Sequence, residues 1–96
     1  MSTISDLPLK ILVVDDERPI RRFLNASLGS RYTIFEAGNG EEAIQAAALN
    51  HPDVIILDLG LPDMDGTDVT RRLKKYFHYF VPYAKSSGRT IGIHDK

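Results

Sequence analysis

The chain has 96 residues, 43% of them hydrophobic, and a formal net charge of −1. That length supports one hydrophobic core and little more, and the near-neutral balance excludes a broad basic face, so direct nucleic-acid binding by this segment is not expected. The absence of cysteine rules out disulfides and thiolate ligands and fits a reducing cytoplasm. Residues 1–9 show no basic start followed by a long apolar stretch, and no apolar run could span a bilayer. They read as a flexible N-terminal segment of a soluble, cytoplasmic chain with no membrane partner.

Lys10-Ile11-Leu12-Val13-Val14 is a continuous aliphatic run of the kind that forms a strand buried on both faces, and it runs into Asp15-Asp16. Glu17-Arg18-Pro19 then opens a helix, because proline is tolerated in a first turn that has no amide partners to lose; Asp16 is a plausible N-cap. Ile20, Phe23, Leu24 and Leu28 predict the core-facing stripe, with Arg21, Arg22 and Asn25 pointing away, and Gly29-Ser30 stops the helix. Residues 32–37, Tyr-Thr-Ile-Phe-Glu-Ala, are β-branched and aromatic and predict a second strand.

Asn39-Gly40 opens the next turn, and Glu41 to Leu49 predicts a second helix with Ala43, Ile44, Ala47 and Leu49 toward the core, ended by Asn50-His51-Pro52. Val54-Ile55-Ile56-Leu57 is a second aliphatic run, and it ends on Asp58. Glycines and proline make residues 60–66 a loop, after which Thr67 or Asp68 can cap a third helix reaching about Lys75. Strand and helix alternating three times predicts right-handed crossovers and an α/β fold: a doubly wound parallel sheet between helices.

Ligand sites of such sheets lie at the carboxyl ends of the strands, which would bring Asp15, Asp16 and Asp58 together. Carboxylates so placed repel one another unless a cation sits among them, and an all-oxygen donor set with few protein ligands suits a hydrated Mg²⁺. Seen alone, Asp15 and Asp16 could be no more than a turn residue and an N-cap. Asp58 at the end of the other run favours the site. His51, His78 and His94 have no ligand-like spacing. Asp63 and Asp65 read as solvent-facing or as caps of the third helix, and Glu17 as support for the first helix or the acidic pocket.

Val13-Val14-Asp15-Asp16-Glu17 together with residues 58–66, Asp-Leu-Gly-Leu-Pro-Asp-Met-Asp-Gly, resembles the receiver domain of bacterial two-component response regulators over roughly Lys10 to Lys75. Residues 20–24 and 58–63 further resemble the Kdp-type potassium-operon regulators of the winged-helix subgroup. The resemblance implies a flavodoxin-like fold with residues 10–96 forming a partial receiver. It also implies a phosphoacceptor at Asp58 that takes its phosphoryl group from a sensor histidine kinase. Direct Mg²⁺ ligation by Asp16 and Asp58 is implied too, with Asp15 acting through water and the Gly60 carbonyl completing the ligands. A homodimer, and DNA contact only through an output domain, are the further implied partners.

The family places a serine or threonine at the end of its fourth strand and a lysine at the end of its fifth. Counting from Val81-Pro82 as the opening of the fourth strand puts Ser87 at the switch hydroxyl, with Ser86 its competitor, although residues 83–88 suit a buried strand poorly. No residue stands at the fifth-strand lysine, and Lys74, Lys75, Lys85 and Lys96 are given no such role; the last strand and helix are expected to be missing. Tyr76, Phe77, Tyr79, Phe80 and Tyr83 read as packing of a helix end and an edge strand, or as a partner surface. Two other functions stay open: a degenerate receiver that only binds partners, and a Mg²⁺-dependent phosphohydrolase with an aspartyl nucleophile. Such hydrolases usually carry a second aspartate two residues after the first, where this chain has Gly60.

Overall fold

The computed structural model describes residues 9–74 and 79–85. Both aliphatic runs form the strands the sequence predicts: β1 (Lys10–Val14) and β3 (Val54–Asp58) lie side by side and parallel, with Val14 opposite Leu57. β2 (Thr33–Ala37) joins the far side of β1, and β4 (Tyr79–Tyr83) the far side of β3, giving the all-parallel order β2-β1-β3-β4. The two central strands are covered on both faces, which is why they read as unbroken aliphatic runs: Leu12, Val13, Val14, Ile55 and Leu57 are fully buried. β1 is followed in space by β2 on one side and β3 on the other, so the winding reverses between β1 and β3. That reversal is the switch point of a doubly wound, flavodoxin-like sheet, with a crevice above the carboxyl ends of the two strands.

Three helices connect the strands: α1 (Arg18–Leu28), α2 (Gly40–Asn50) and α3 (Gly66–Leu73). α1 begins behind Glu17, which makes no side-chain cap, so the expected cap by Asp16 is not formed. Its inner face also differs from the predicted one: Ile20, Arg21, Leu24, Asn25 and Leu28 are half-buried, whereas Phe23 is 67% exposed. Each four-residue step overshoots a full turn by about 40°, so the Ile20-Leu24-Leu28 row drifts toward Arg21 and away from Phe23. Arg21 is held inward by the Asp15 carbonyl at 2.7 Å and the Glu36 carboxylate at 3.1 Å.

α2 is capped by Asn39, whose side chain accepts from the Glu42 amide at 2.8 Å. Ala43 and Ala47 pack into the core as expected, but Leu49 is 79% exposed because it falls outside the stripe those alanines define. The helix ends on His51 in the left-handed region, φ 50°, and Lys10 Nζ donates to the Asn50 carbonyl at 3.0 Å. α3 starts earlier than expected. Its N-cap is Asp65, which the sequence also allowed as a cap, accepting from the Thr67 amide at 3.3 Å, rather than Thr67 or Asp68. Gly66 lets Leu59 approach closely there, since a Cβ would lie 3.0 Å from the Leu59 Cα and 2.6 Å from its Cδ2 and would push that side chain aside.

β4 corrects the sequence reading of the fourth strand. Val81 pairs with Ile56 and Pro82 with Leu57, so the dipeptide lies inside the strand and Tyr83, opposite Asp58, ends it. Among the described residues β4 is an edge strand, where proline is tolerated because a nitrogen facing away from the neighbouring strand forfeits no ladder bond. Phe80 packs against the core from this strand while Tyr79 is exposed. The assignments to residues 1–8, Lys75, Tyr76, Phe77, His78, Ser86, Ser87, His94 and Lys96 fall outside the described residues.

Candidate functional site

Asp15 continues β1 by one ladder bond, its amide donating to the Ala37 carbonyl at 3.1 Å, and Asp58 is the last residue of β3. Because these strands are parallel neighbours in register, the two carboxylates emerge at the same edge of the sheet, and Asp16 follows on the next turn. One oxygen from each of Asp15, Asp16 and Asp58 lies within 4.8 Å of the others. Asp15 and Asp58 are fully buried; Asp16 reaches solvent.

The hydrogen bonds leave the two buried carboxylates in different states. Asp15 Oδ1 accepts from the Glu17 amide at 2.8 Å and from Lys85 Nζ at 2.8 Å, and its Oδ2 accepts from the Tyr83 hydroxyl. Asp58 Oδ1 accepts from the Gly60 amide at 2.8 Å, an Asx turn that fixes the plane of the carboxyl group. Its Oδ2 is buried and accepts no hydrogen bond from the described residues. Lys85 Nζ stands 3.1 Å from that oxygen, an ion-pair contact without hydrogen-bond geometry. An oxygen buried without a hydrogen bond is costly unless a ligand uses it.

Such a donor set fits a hard divalent cation. It consists of carboxylate oxygens only, three residues converge within reach of one ion, and an unsatisfied buried oxygen faces the same space. Gly60 is brought to the cluster by its amide, which places its peptide beside the Asp58 carboxylate.

Lys85, which the sequence reading gave no role, is at the centre of this cluster. Its ammonium lies 2.8 Å from Asp15, 3.1 Å from Asp16, 3.1 Å from Glu17 and 3.1 Å from Asp58. Burial disfavours the lysine's charge, but the contacts with Asp15, Asp58, Asp16 and Glu17 outweigh it and hold its pKa above the ordinary lysine value. In return, the hydrogen bond from Lys85 holds the Asp16 carboxyl below the usual carboxylate value. Tyr83 has its phenol pushed up, first by burial and then by the hydrogen bond to Asp15. The signal for both residues was the end of β4, obscured because Val81-Pro82 resembles the opening of a strand.

Asp63 neither faces solvent alone nor caps α3. It accepts from the amides of Gly40 at 2.8 Å and Glu41 at 3.1 Å, closing the start of α2 from the far loop. The Gly40 amide, with that of Glu41, holds its carboxyl below the usual carboxylate value, so the folded group keeps its charge to lower pH than the unfolded one. Its stabilising effect is therefore complete above the ordinary carboxylate range and disappears as pH falls through the folded value. Asp63→Ala is expected to lower the melting temperature at neutral pH, and the gap from the unmodified chain should close in acid. A gap that persists or widens in melting curves at acid pH would show that the capping charge is not the cause.

A buried aspartate ending one central strand, an acidic pair ending its neighbour, and the switch point between them define a receiver-type site on a doubly wound sheet. The response regulator receiver domain family matches residues 11–83, and the chain belongs to that family. It is similar to the KDP operon transcriptional regulatory protein KdpE of Escherichia coli, 46% identical over 67 residues that make up 69% of this chain and 30% of that protein. Similarity to the transcriptional regulatory protein KdpE of Mycobacterium tuberculosis is 51% over 65 residues, 67% of this chain and 29% of that one. The chain thus spans under a third of the length of these curated relatives. Among solved structures it is similar to the signal receiver domain of a LuxO repressor protein from Vibrio parahaemolyticus, with TM-score 0.71 and 29% identity, covering 85% of this chain and 67% of that one. A chemotaxis response regulator of Vibrio cholerae gives TM-score 0.65 and 29% identity, over 75% of this chain and 67% of its own. No helix among the described residues is long and apolar enough to cross a membrane.

Proposed function

We propose that this receiver domain accepts a phosphoryl group on Asp58, with Asp15, Asp16, Asp58 and the Gly60 carbonyl holding Mg²⁺. The observation that carries this reading is the asymmetry of Asp58: Oδ1 is pinned by the Gly60 amide while Oδ2 is left without a hydrogen bond, facing the acidic cluster. Pinning one oxygen orients the other, whose close neighbour is the Lys85 ammonium at 3.1 Å, an ion pair without hydrogen-bond geometry that the attacking oxygen must shed. In the step, Asp58 Oδ2 forms a bond to phosphorus as the phosphorus–nitrogen bond of a phosphohistidine breaks, the electron pair leaving with the imidazole. The product is an acyl phosphate on Asp58. Mg²⁺, when bound, neutralises charge on the transferred group.

The donor is a sensor histidine kinase by the family's chemistry. The two relatives named as transcriptional regulatory proteins support a role in which phosphorylation alters dimerisation or a DNA-binding output domain in the cytoplasm. The Ser87 assignment counts from Val81-Pro82 as the opening of the fourth strand, whereas that dipeptide lies inside β4; the residue falls outside the described ones and is given no role in this reading.

Intact mass after incubation with Mg²⁺ and acetyl phosphate tests the acceptor directly: one added phosphoryl group is expected, and none would refute the reading. Metal ligation has its own check. Asp16→Ala is expected to weaken Mg²⁺ binding by at least about tenfold, since even outer-shell partners of metal ligands cost 10–100-fold. Asp63→Ala, whose carboxylate caps α2, should leave the affinity unchanged. Equal losses in the two calorimetric titrations would contradict the assignment.

A further inference from the structure

The cluster that would take the metal already holds a cation from within the chain, which offsets part of its charge. Lys85 Nζ lies within 3.1 Å of an oxygen of Asp15, Asp16 and Asp58, the same three residues whose carboxylates converge on one cation position, and Glu17 adds a fourth contact at 3.1 Å. Two cations cannot share that position, because each would lose the oxygens the other uses and they would repel across a few ångströms. The lysine side chain retains 22% exposure, which gives it a way out to solvent, and its four-carbon stem is flexible.

We propose that Lys85 is a built-in competitor for the divalent cation: its ammonium closes the acidic cluster when no metal is bound and leaves it when metal enters. This rests on the metal reading of the site. Lys85 lies two residues past the end of β4, so metal entry breaks the contacts of its ammonium with Asp15 and Asp58. The ammonium thereby sets the metal affinity of the domain. A site competent only in the fraction of molecules whose lysine is out binds with a dissociation constant raised by the reciprocal of that fraction.

The test compares Mg²⁺ affinity of the 96-residue chain and of Lys85→Met, which keeps the apolar stem and removes the charge. Calorimetry should show the variant binding at least about tenfold tighter, as expected if the lysine occupies the cluster in about nine molecules of ten. Equal or weaker binding by the variant overturns the competition while leaving the metal reading in place. If neither chain binds Mg²⁺, the metal reading itself fails and the proposal with it.

A second measurement needs no variant. Acylation of the unmodified chain by an N-hydroxysuccinimide ester, mapped by peptide mass, should label Lys85 slowly in EDTA and several-fold faster at saturating Mg²⁺, relative to Lys74 in the same sample. Unchanged relative labelling, in a chain that calorimetry shows to be metal-loaded, overturns the proposal even if Lys85→Met does not fold.

Discussion

Asp58→Asn is expected to abolish phosphorylation by acetyl phosphate or a phosphohistidine donor, with no added mass detectable by intact-mass measurement. The amide matches the carboxylate in shape but offers no anionic oxygen, and in a step that splits one difficult transfer into two the nucleophile has no substitute. Asp15 cannot take over: both of its oxygens are engaged, by the Glu17 amide, Lys85 and the Tyr83 hydroxyl. Asp16 is exposed and Asp63 is committed to the start of α2. The variant should fold, because the amide oxygen can still accept from the Gly60 amide, the bond that orients the group. Retained phosphorylation in a folded Asp58→Asn chain would remove Asp58 from the role and leave the domain without its proposed acceptor.

Leu12→Ala is expected to cost roughly 2–5 kcal/mol, the usual range for truncating a large aliphatic side chain in a packed core. Leu12 is fully buried on β1 and belongs to the hydrophobic cluster that also holds Val14, Ile55, Leu57, Val69 and Leu73. A domain of this size has little stability in reserve, so the variant should be substantially unfolded at moderate temperature. Loss of Mg²⁺ binding should accompany it, since Asp15 and Asp16 follow directly on β1 and lose their place when the strand unfolds. Leu49→Ala is the matched control. The sequence pattern assigns that leucine to the core, whereas the structure leaves it 79% exposed, so its truncation should fall within about 0.5 kcal/mol of neutral. Urea unfolding of the two variants decides between the pattern and the packing, and equal losses would show that the face of α2 is described wrongly.

Where the sequence was a reliable guide, the physics was local or dictated by burial on two sides. The runs at Lys10–Val14 and Val54–Asp58 could be read as central strands because a strand covered on both faces must be apolar at every position. Placing Asp15, Asp16 and Asp58 at one edge then needed only the parallel pairing that alternating strands and helices impose. Helix faces were less legible. In α1 the choice between Arg21 and Phe23 as the inner residue is not made by hydrophobicity; it is made by the Asp15 carbonyl and Glu36, partners from other elements that stabilise the guanidinium where it lies.

Composition, the two aspartate-ended strands and their order thus determined the fold class and the three acidic residues. Only the tertiary structure decided what faces them. Whether Val81-Pro82 opens a strand or lies within it depends on the register against β3, and that pairing, with Tyr83 opposite Asp58, is what carries Tyr83 and Lys85 to the cluster. It likewise took the folded chain to show that Asp63 closes a helix more than twenty residues earlier, and that one oxygen of Asp58 is pinned while the other is not. Spacing along a chain limits which side chains share an element, but a contact between residues 15 and 85 exists only once the sheet has assembled, because nothing local brings that ammonium to those carboxylates.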